Sequence, residues 1–390
     1  MRLLYDLTAT QPATGKYHGG GEYGKVVFER LLEIAEGTEV IGLWDPDRWI
    51  DPNVRASIQA HDILLREVGD YHSLQNALEG GDRFYSALPY NYGSLDFSGV
   101  EFIATVHGLR PVEMPTDRYE YRYDRTLRGW AKYVGKHILR DWYINRHRRR
   151  FQALIQTEAR AKTVIVPSRH TKYAFLDVFP AAEEVDVRVL YSPQQAAATV
   201  AGTEPLEEAG VVPEQYVLLV SGGRWIKNAY RAVRALDVLF DRHPSLDLQV
   251  VVAGVEDAMS LFGVLRNRSR FHFFGYVKRP VLESLYQHAH SLLYPTLNEG
   301  FGYPPLEAMR YGTPVICSGV TSLPEVCQDA ALYVSPYSAG EIRNRVLTLA
   351  REEAVYREYQ KRAERRYEQV AERQSADLDA LCHLLLHPHS

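Results

Sequence analysis

Fifteen residues, Asn298 to Gly312 (NEGFGYPPLEAMRYG), restrict what this chain can fold into more than any other stretch. The apolar run before them, SLLYPT at Ser291 to Thr296, predicts a buried strand. Pro304 and Pro305 fit the first turn of a helix, where a missing N–H costs nothing, and nowhere deeper in it. A helix is therefore predicted from the diproline to about Tyr311, ended by Gly312, which makes the unit a strand, a loop and a helix. Glu299 and Glu307 stand at its two ends with seven residues between them. The amides of Gly300, Phe301, Gly302 and Tyr303, and then of Leu306 and Glu307, are expected to meet an anion at the helix start. The prolines donate nothing, so the loop must supply most of the donors. Carboxylate oxygens only accept, which matches them to sugar or ribose hydroxyls. A lone glutamate pair would read as a turn with two solvated side chains, but in this setting the pattern predicts a nucleotide-sugar site.

At 390 residues the chain exceeds the size of a single core, so two domains are expected. An apolar content of 46% and a charged content of 24% fit a soluble globular protein. No apolar run reaches 18 residues, and MRLLYDLTATQP is too short in apolar residues for a secretion signal, so a cytoplasmic location is expected. Cys317, Cys327 and Cys382 form no disulfide framework and no zinc pattern, and no metal or cofactor is expected. Strand and helix signals alternate as in a doubly wound parallel sheet, an α/β class. RLLYDL, EVIGLW, RFYSAL, EFIATVHG, TVIVPS (163–168) and VRVLY read as strands of a first domain, 1–192, with a helix over 151–162. Residues 193–213, rich in small and polar residues, read as a linker. A second domain, 214–370, opens with YVLLVSGG and continues through LQVVVAG, FHFFGYV and LYVSP to a long charged helix from about Glu341. The segment 371–390 reads as a further terminal helix.

Several short segments carry chemistry. HGGGEYG (His18 to Gly24) follows the first strand, and Gly20 and Gly21 would let the backbone approach a ligand. Its spacing fits a dinucleotide fingerprint only loosely, and no acidic residue follows a second strand in the expected place, which argues against a nicotinamide enzyme. SGGRWIKN (Ser221 to Asn228) presents Arg224 and Lys227 where a strand ends and a helix begins, a placement able to neutralise a departing diphosphate. His107 closes the apolar strand ATVHG; such a residue is either structural or a hydrogen-bonding partner for a substrate. VVAGV and FFGYV place Gly254, Tyr276 and Val277 at strand ends. Between Asp117 and Arg150 there are eleven Lys/Arg against four Asp/Glu, a local +7 in a chain of net −4. Interleaved with Tyr and Trp, the block 117–150 reads as a solvated face, a grip on a phosphorylated acceptor, or a membrane-surface segment. No recognised RNA-binding module accompanies it, and no nucleic-acid partner is expected.

NEGFGYPPLEAM together with GTPVI and SLPEV, over Asn298 to Pro336, resembles the signature region of retaining glycosyltransferases of the GT-B class, the glycogen-synthase and mannosyltransferase-like group 1 (family 4). The resemblance implies two Rossmann-like domains facing each other across a cleft, with the terminal helix returning to the first. It implies a nucleotide-sugar donor held mostly by the second domain, with Glu307 on ribose hydroxyls and Glu299 on the transferred sugar. Arg224, Lys227 and the amides after Glu299 would face the diphosphate, and His107 and the glycine loop the reacting sugar. Backbone at Gly254, Tyr276 and Val277 would surround the base. His107 is followed by Gly108 where relatives often carry Asp, and Arg224 and Lys227 are closer together than is usual. The implied activity is metal-independent hexose transfer with retention of configuration, the acceptor being a glycan or polyprenyl-linked glycan of bacterial polysaccharide assembly. The basic block would then contact an anionic membrane at the inner face. A catalytically silent protein of the same fold and an NAD-dependent oxidoreductase are the competing readings.

Overall fold

The computed structural model describes residues 1–11, 19–89, 95–194 and 200–387. His18, residues 195–199 of the expected linker and residues 388–390 lie outside them. The chain divides into two compact units: Met1–Val112, Ile144–Ala196 and Ala371–Ser390 form one, and Glu113–Tyr143 and Ala197–Val370 the other.

In the first unit seven parallel strands run in the order β3-β2-β1-β4-β5-β6-β7. They are β1 (Arg2–Asp6), β2 (Glu39–Trp44), β3 (Leu64–Glu67), β4 (Arg83–Ser86), β5 (Phe97–Thr105), β6 (Ala159–Val166) and β7 (Asp186–Val189). Alternate side chains of each strand serve opposite faces. Leu3 and Tyr5 of β1 join a core with Val27, Phe28 and Leu31 of the helix Gly19–Ile34, while Leu4 turns to a core with Phe84, Phe102 and Phe175. Both faces are covered, which is why the strands read as nearly unbroken apolar runs. The end of the last helix, Glu353–Leu386, supplies Leu381, Cys382 and Leu385 to the first of these cores.

Arg83 ties that helix down. Its side chain is fully buried, and its Nε lies 2.7 Å from Glu101 Oε2 on the neighbouring strand. Its Nη1 donates to the carbonyls of Leu384 at 2.7 Å and Leu385 at 3.2 Å. The guanidinium thus satisfies carbonyls that a helix C-terminus leaves without internal partners.

The second unit holds six parallel strands in the order β10-β9-β8-β11-β12-β13. They are β8 (Tyr216–Leu219), β9 (Gln249–Ala253), β10 (Phe271–Phe274), β11 (Ser291–Tyr294), β12 (Val315–Ser318) and β13 (Ala331–Val334). Val217, Leu219, Val250 and Val252 pack with Val233, Leu236 and Phe240 of the helix Ala229–Arg242 and Ile342 and Val346 of the helix Ala339–Arg351.

Several elements differ from the sequence expectation. The helix expected over 151–162 is Arg140–Gln156, and β6 begins at Ala159, four residues before the expected strand. The glycines at 19–21 are the first turn of a helix and not a loop. The helices expected at about 341 and at 371–390 are Ala339–Arg351 and a single 34-residue helix to Leu386. The basic aromatic segment, expected within the first domain, has its residues up to Tyr143 in the second unit. Specific contacts account for this. Asp117 accepts two hydrogen bonds from Arg231, at 3.0 and 2.8 Å, and the Tyr123 hydroxyl accepts from the amide of Tyr230 at 2.9 Å. No helix among the described residues is long and apolar enough to cross a membrane.

Arg83→Ala removes a buried charge partner of Glu101 and is expected to destabilise the first unit by about 3–5 kcal/mol. The paired replacement Arg83→Met with Glu101→Leu removes both charges and is expected to recover most of that loss. Urea unfolding followed by tyrosine and tryptophan fluorescence measures both; a double variant as unstable as the single one would refute the account.

Candidate active site

The carboxyl ends of β8 and β11 carry the densest constellation of the sequence-predicted groups. These strands are neighbours although β9 and β10 come between them in sequence and lie on the far side of β8, so chain connections leave the sheet in opposite directions on either side of this pair. Open parallel sheets bind ligands at such switch points. After β8 the chain makes a tight turn, Trp225–Lys227, and Asn228 takes a left-handed conformation at φ 60°. Asn228 Nδ2 then donates to the carbonyls of Pro295 at 3.0 Å and Pro336 at 2.7 Å. The amide of Leu297 donates to Ile226 O at 2.8 Å, so the turns after β8 and β11 are stitched together. This brings Lys227 and Glu299 into contact.

Lys227 Nζ is hydrogen-bonded to Glu299 Oε1 and, at 2.5 Å, to the Tyr294 hydroxyl. That hydroxyl donates to the same carboxylate oxygen at 2.7 Å, and Thr296 Oγ1 lies 2.9 Å from it. Lys227 and Glu299 side chains are only 9% and 13% exposed. Burial alone would raise the Glu299 pKa, but the Lys227 ammonium and the donors Tyr294 and Thr296 outweigh it and hold the carboxyl below its ordinary range. All these contacts fall on Oε1; Oε2 makes no hydrogen bond or ion pair to a described residue. One oxygen is anchored and the other keeps its acceptor capacity. Arg224, three residues before Lys227, is exposed, and its guanidinium makes no hydrogen bond or ion pair to a described residue.

The loop that follows is fixed by the next strand's exit. The Glu299 amide donates to Thr321 Oγ1 at 3.0 Å, and Ser322 Oγ lies 3.1 Å from Glu299 O and 2.7 Å from Phe301 O. Gly302 has φ 123°, and a Cβ there would sit 2.6 Å from Leu323 Cδ2, so only glycine fits. Phe301 is buried and meets Tyr303 edge-on at 5.5 Å. The helix runs from Tyr303 to Met309, one residue ahead of the diproline, and Leu306 is buried on it. Beginning at Tyr303, it draws the Glu307 amide into its own ladder, so that amide is not the anion donor the sequence suggested. The Glu307 carboxylate meets Arg279 Nη1 and the Tyr286 hydroxyl, each at 2.7 Å.

Gly254, at φ 82°, ends β9 where a Cβ would lie 3.2 Å from Ser221 Cα; its carbonyl accepts from the Gly223 amide at 2.7 Å. The Tyr276 amide donates to Glu256 Oε1 at 3.0 Å, so of the two residues expected to read a base edge, it is engaged within the protein. Val277 is partly buried beside it. In the first unit His107 Nε2 donates to Ala87 O at 2.8 Å, and its ring packs edge-on against Tyr23 at 4.8 Å. Tyr23 lies one turn beyond Gly20 and Gly21, so His107 and the glycine turn flank the β1–β4 switch of that sheet.

Sequence reasoning missed Tyr294, Thr296, Thr321 and Ser322. Tyr294 and Thr296 read as members of a buried strand, and their hydroxyls gave no separate signal; the SLPEV motif marked the vicinity of Ser322 without its role.

Residues 207–366 match the family "Glycosyl transferases group 1". The chain is 48% identical over 75 residues to O-antigen chain mannosyltransferase B of Escherichia coli, covering 19% of this chain and 20% of that protein. It is 36% identical over 126 residues to O-antigen chain mannosyltransferase RfbU of Salmonella typhimurium, covering 32% and 35%. These matches thus span about a fifth to a third of the relatives' own lengths. Over 98% of both chains the fold is similar to sucrose-phosphate synthase from Thermosynechococcus elongatus, with a TM-score of 0.66 at 17% identity.

A depressed carboxyl pKa stabilises the fold above the ordinary carboxyl pKa, and that contribution is lost as pH falls through the lowered one. Stability of the second unit is therefore expected to drop below the Glu299 reference value of 4.5. Glu299→Gln should lack this component when thermal unfolding is followed between about pH 3 and pH 7. Parallel curves for the two proteins would refute the assignment. Over residues 207–366 the chain is thus similar to the glycosyl transferases group 1 family, and its two parallel-sheet units have the GT-B fold.

Proposed function

We propose that the protein is a metal-independent, retaining glycosyltransferase that moves a hexose from a nucleoside-diphosphate sugar to a glycan or polyprenyl-linked glycan. The observation that carries this reading is Glu299, a buried carboxylate with one oxygen anchored by Lys227, Tyr294 and Thr296 and the other unengaged by any of the described residues. Lys227 offsets the burial of this charge, and the acceptor capacity of the second oxygen is what a purely structural pair would not require. Two O-antigen chain mannosyltransferases among the similar proteins favour a hexose donor and bacterial polysaccharide assembly.

In this reading Oε2 of Glu299 accepts a hydroxyl of the transferred sugar, and Glu307 accepts the ribose hydroxyls. Lys227 and Arg224 face the diphosphate, and negative charge grows there as the anomeric C–O bond breaks. The acceptor hydroxyl attacks from the same face and forms the new glycosidic bond. Its proton passes to an oxygen of the departing phosphate, so configuration is retained without a covalent carboxylate intermediate. His107, with Nε2 donating to Ala87, presents a ring of fixed tautomer beside the turn at Gly20 and Gly21. The amides from Gly300 to Tyr303, and backbone at Gly254, Tyr276 and Val277, complete the donor site.

The membrane contact belongs to the same reading. The helix Leu127–Ile138 packs inward through Gly129 and through Lys136, which is paired with Glu120 at 2.5 Å. Its apolar residues face outward: Leu127 is 90% exposed, Trp130 57% and Ile138 75%, and Leu139 and Trp142 continue the exposed row. Exposed Arg128, Lys132 and Arg140 border them. Apolar and aromatic side chains rimmed by cations match the interface of an anionic bilayer, here the cytoplasmic face of the membrane.

A panel of UDP-, GDP- and dTDP-hexoses with nucleotide release as readout tests the activity. One donor is expected to turn over, unaffected by a metal chelator, and NAD to produce no thermal shift. Glu299→Ala is expected to lower kcat by roughly 10²-fold while the nucleoside diphosphate still binds. Near-normal turnover in that variant would remove Glu299 from the chemistry. Arg224→Ala is the cleaner probe of the diphosphate contact, because Lys227→Ala also strands the Glu299 charge.

Trp130→Ser with Trp142→Ser, and separately charge reversal of Arg146, Arg148, Arg149 and Arg150, are expected to weaken sedimentation with phosphatidylglycerol vesicles. Each cation near such a surface contributes about 1 kcal/mol. Unchanged sedimentation of both variants would refute the contact.

A further inference from the structure

Glu307 is held by two residues that the sequence did not single out, and both come from one helix, Arg279–Gln287. Arg279 Nη1 lies 2.7 Å from Oε1, and the Tyr286 hydroxyl donates to Oε2 at 2.7 Å. Seven residues apart, they lie two turns along the same helical face. Between them stands Glu283, fully buried, which pairs with Arg279 Nη2 at 2.5 Å. Glu283 is itself fixed from the segment that follows Glu307: Arg310 Nη1 is 3.4 Å from its Oε1, and the Tyr311 hydroxyl donates to its Oε2 at 2.7 Å. Arg279 is therefore bracketed by two carboxylates and cannot swing away from Glu307 without also giving up its contact with Glu283. The four charges, Glu283, Glu307, Arg279 and Arg310, sum to zero.

Counting lone pairs gives this cluster a purpose beyond packing. An ionised carboxylate offers about four acceptor positions, two on each oxygen. Among the described residues Arg279 takes one on Oε1 and Tyr286 one on Oε2, which leaves one on each oxygen. Two remaining acceptors on adjacent oxygens of one rigid group match two adjacent hydroxyls on a ring, the 2′,3′-cis-diol of a ribose. A carboxylate without its two clamps would rotate about its last bond and hydrate, and would meet the diol with no fixed direction. A purely structural ion pair would need Arg279 alone; the Tyr286 hydroxyl on the opposite oxygen is what sets the plane.

We propose that Arg279 and Tyr286 are positioning residues that orient the Glu307 carboxylate for a vicinal diol, making the site selective for ribonucleotides over deoxyribonucleotides. This rests on the assignment of Glu307 to the ribose. Neither residue touches the reacting atoms, so their replacement acts on nucleotide selection before it acts on chemistry.

Equilibrium binding of GDP against 2′-deoxy-GDP, and of UDP against 2′-deoxy-UDP, to the full chain tests the proposal. The wild-type protein is expected to prefer the ribonucleotide of its own base by about tenfold or more, as befits a hydrogen bond to a charged group. Tyr286→Phe and Arg279→Gln are each expected to bring that ratio to within about threefold, mostly by weakening the ribonucleotide. Should Arg279→Gln fail to fold because the buried cluster loses a positive charge, Tyr286→Phe alone decides, since it removes one hydroxyl and no charge. A wild-type ratio retained in a folded variant would overturn the positioning role while leaving Glu307 as the ribose ligand. Absence of discrimination in the wild-type protein would overturn the Glu307 assignment itself, and the inference with it.

Discussion

The contact between Lys227 and Glu299 is the interaction on which the second unit's candidate site depends. Both side chains are almost withdrawn from solvent. Removing either alone leaves a charge in a medium that solvates it poorly, at a cost of several kcal/mol. Such a pair is tolerable only where hydrogen bonds complete it, and Tyr294 and Thr296 do so on one oxygen. The remaining oxygen and the exposed Arg224 are then the groups with capacity to spare. A sugar diphosphate would bring hydroxyls to the first and negative charge to the second. The protein's own ion pair thus prefigures the charge arrangement of the ligand it is proposed to bind.

Sheet order explains why residues 72 positions apart can meet at all. In each unit the sheet reverses its winding once, between β1 and β4 and between β8 and β11. The glycine turn and the strand carrying Ala87 exit beside the first reversal, and Lys227 and Glu299 beside the second. Backbone constraints sharpen the second site: Asn228 in a left-handed conformation turns the chain, and its amide group pins the two exits together. The site's precision therefore comes from main-chain stitching between neighbouring turns and not from the side chains that would touch a ligand.

Much of this was legible in the sequence because it is encoded locally. The parallel strands announce themselves as short apolar runs, and the diproline and Gly312 bracket the helix that carries Glu307. The two glutamates and two cations were identifiable from their neighbours. What the sequence hid was long-range or conformational. The glycines at 19–21 looked like a loop because glycine is a poor helix former, yet they open a helix whose next turn is buried. The packing of Tyr123 and Asp117 against Tyr230 and Arg231 joins partners more than a hundred residues apart and leaves no periodic trace. Tyr294 was concealed by its own burial, since a tyrosine in an apolar strand reads as core until its hydroxyl is seen to reach Glu299. Arg279 and Tyr286 were similarly silent, as their meaning lies in which carboxylate they meet.

The clamp of Arg83 on the carbonyls of Leu384 and Leu385 joins positions 301 and 302 residues apart, within the first unit. On the ribosome, β4 emerges long before those carbonyls exist. Until Leu386 has been synthesised, the face of the sheet that Leu381, Cys382 and Leu385 will cover stays open to water. Early strands must wait in a collapsed, incomplete state while the whole second unit is translated and free to fold. Such a chain has a high contact order in its first half and a long interval in which exposed apolar strands can find wrong partners. Chaperone dependence and sensitivity to translation rate should accordingly concentrate in the unit that is made first and finished last.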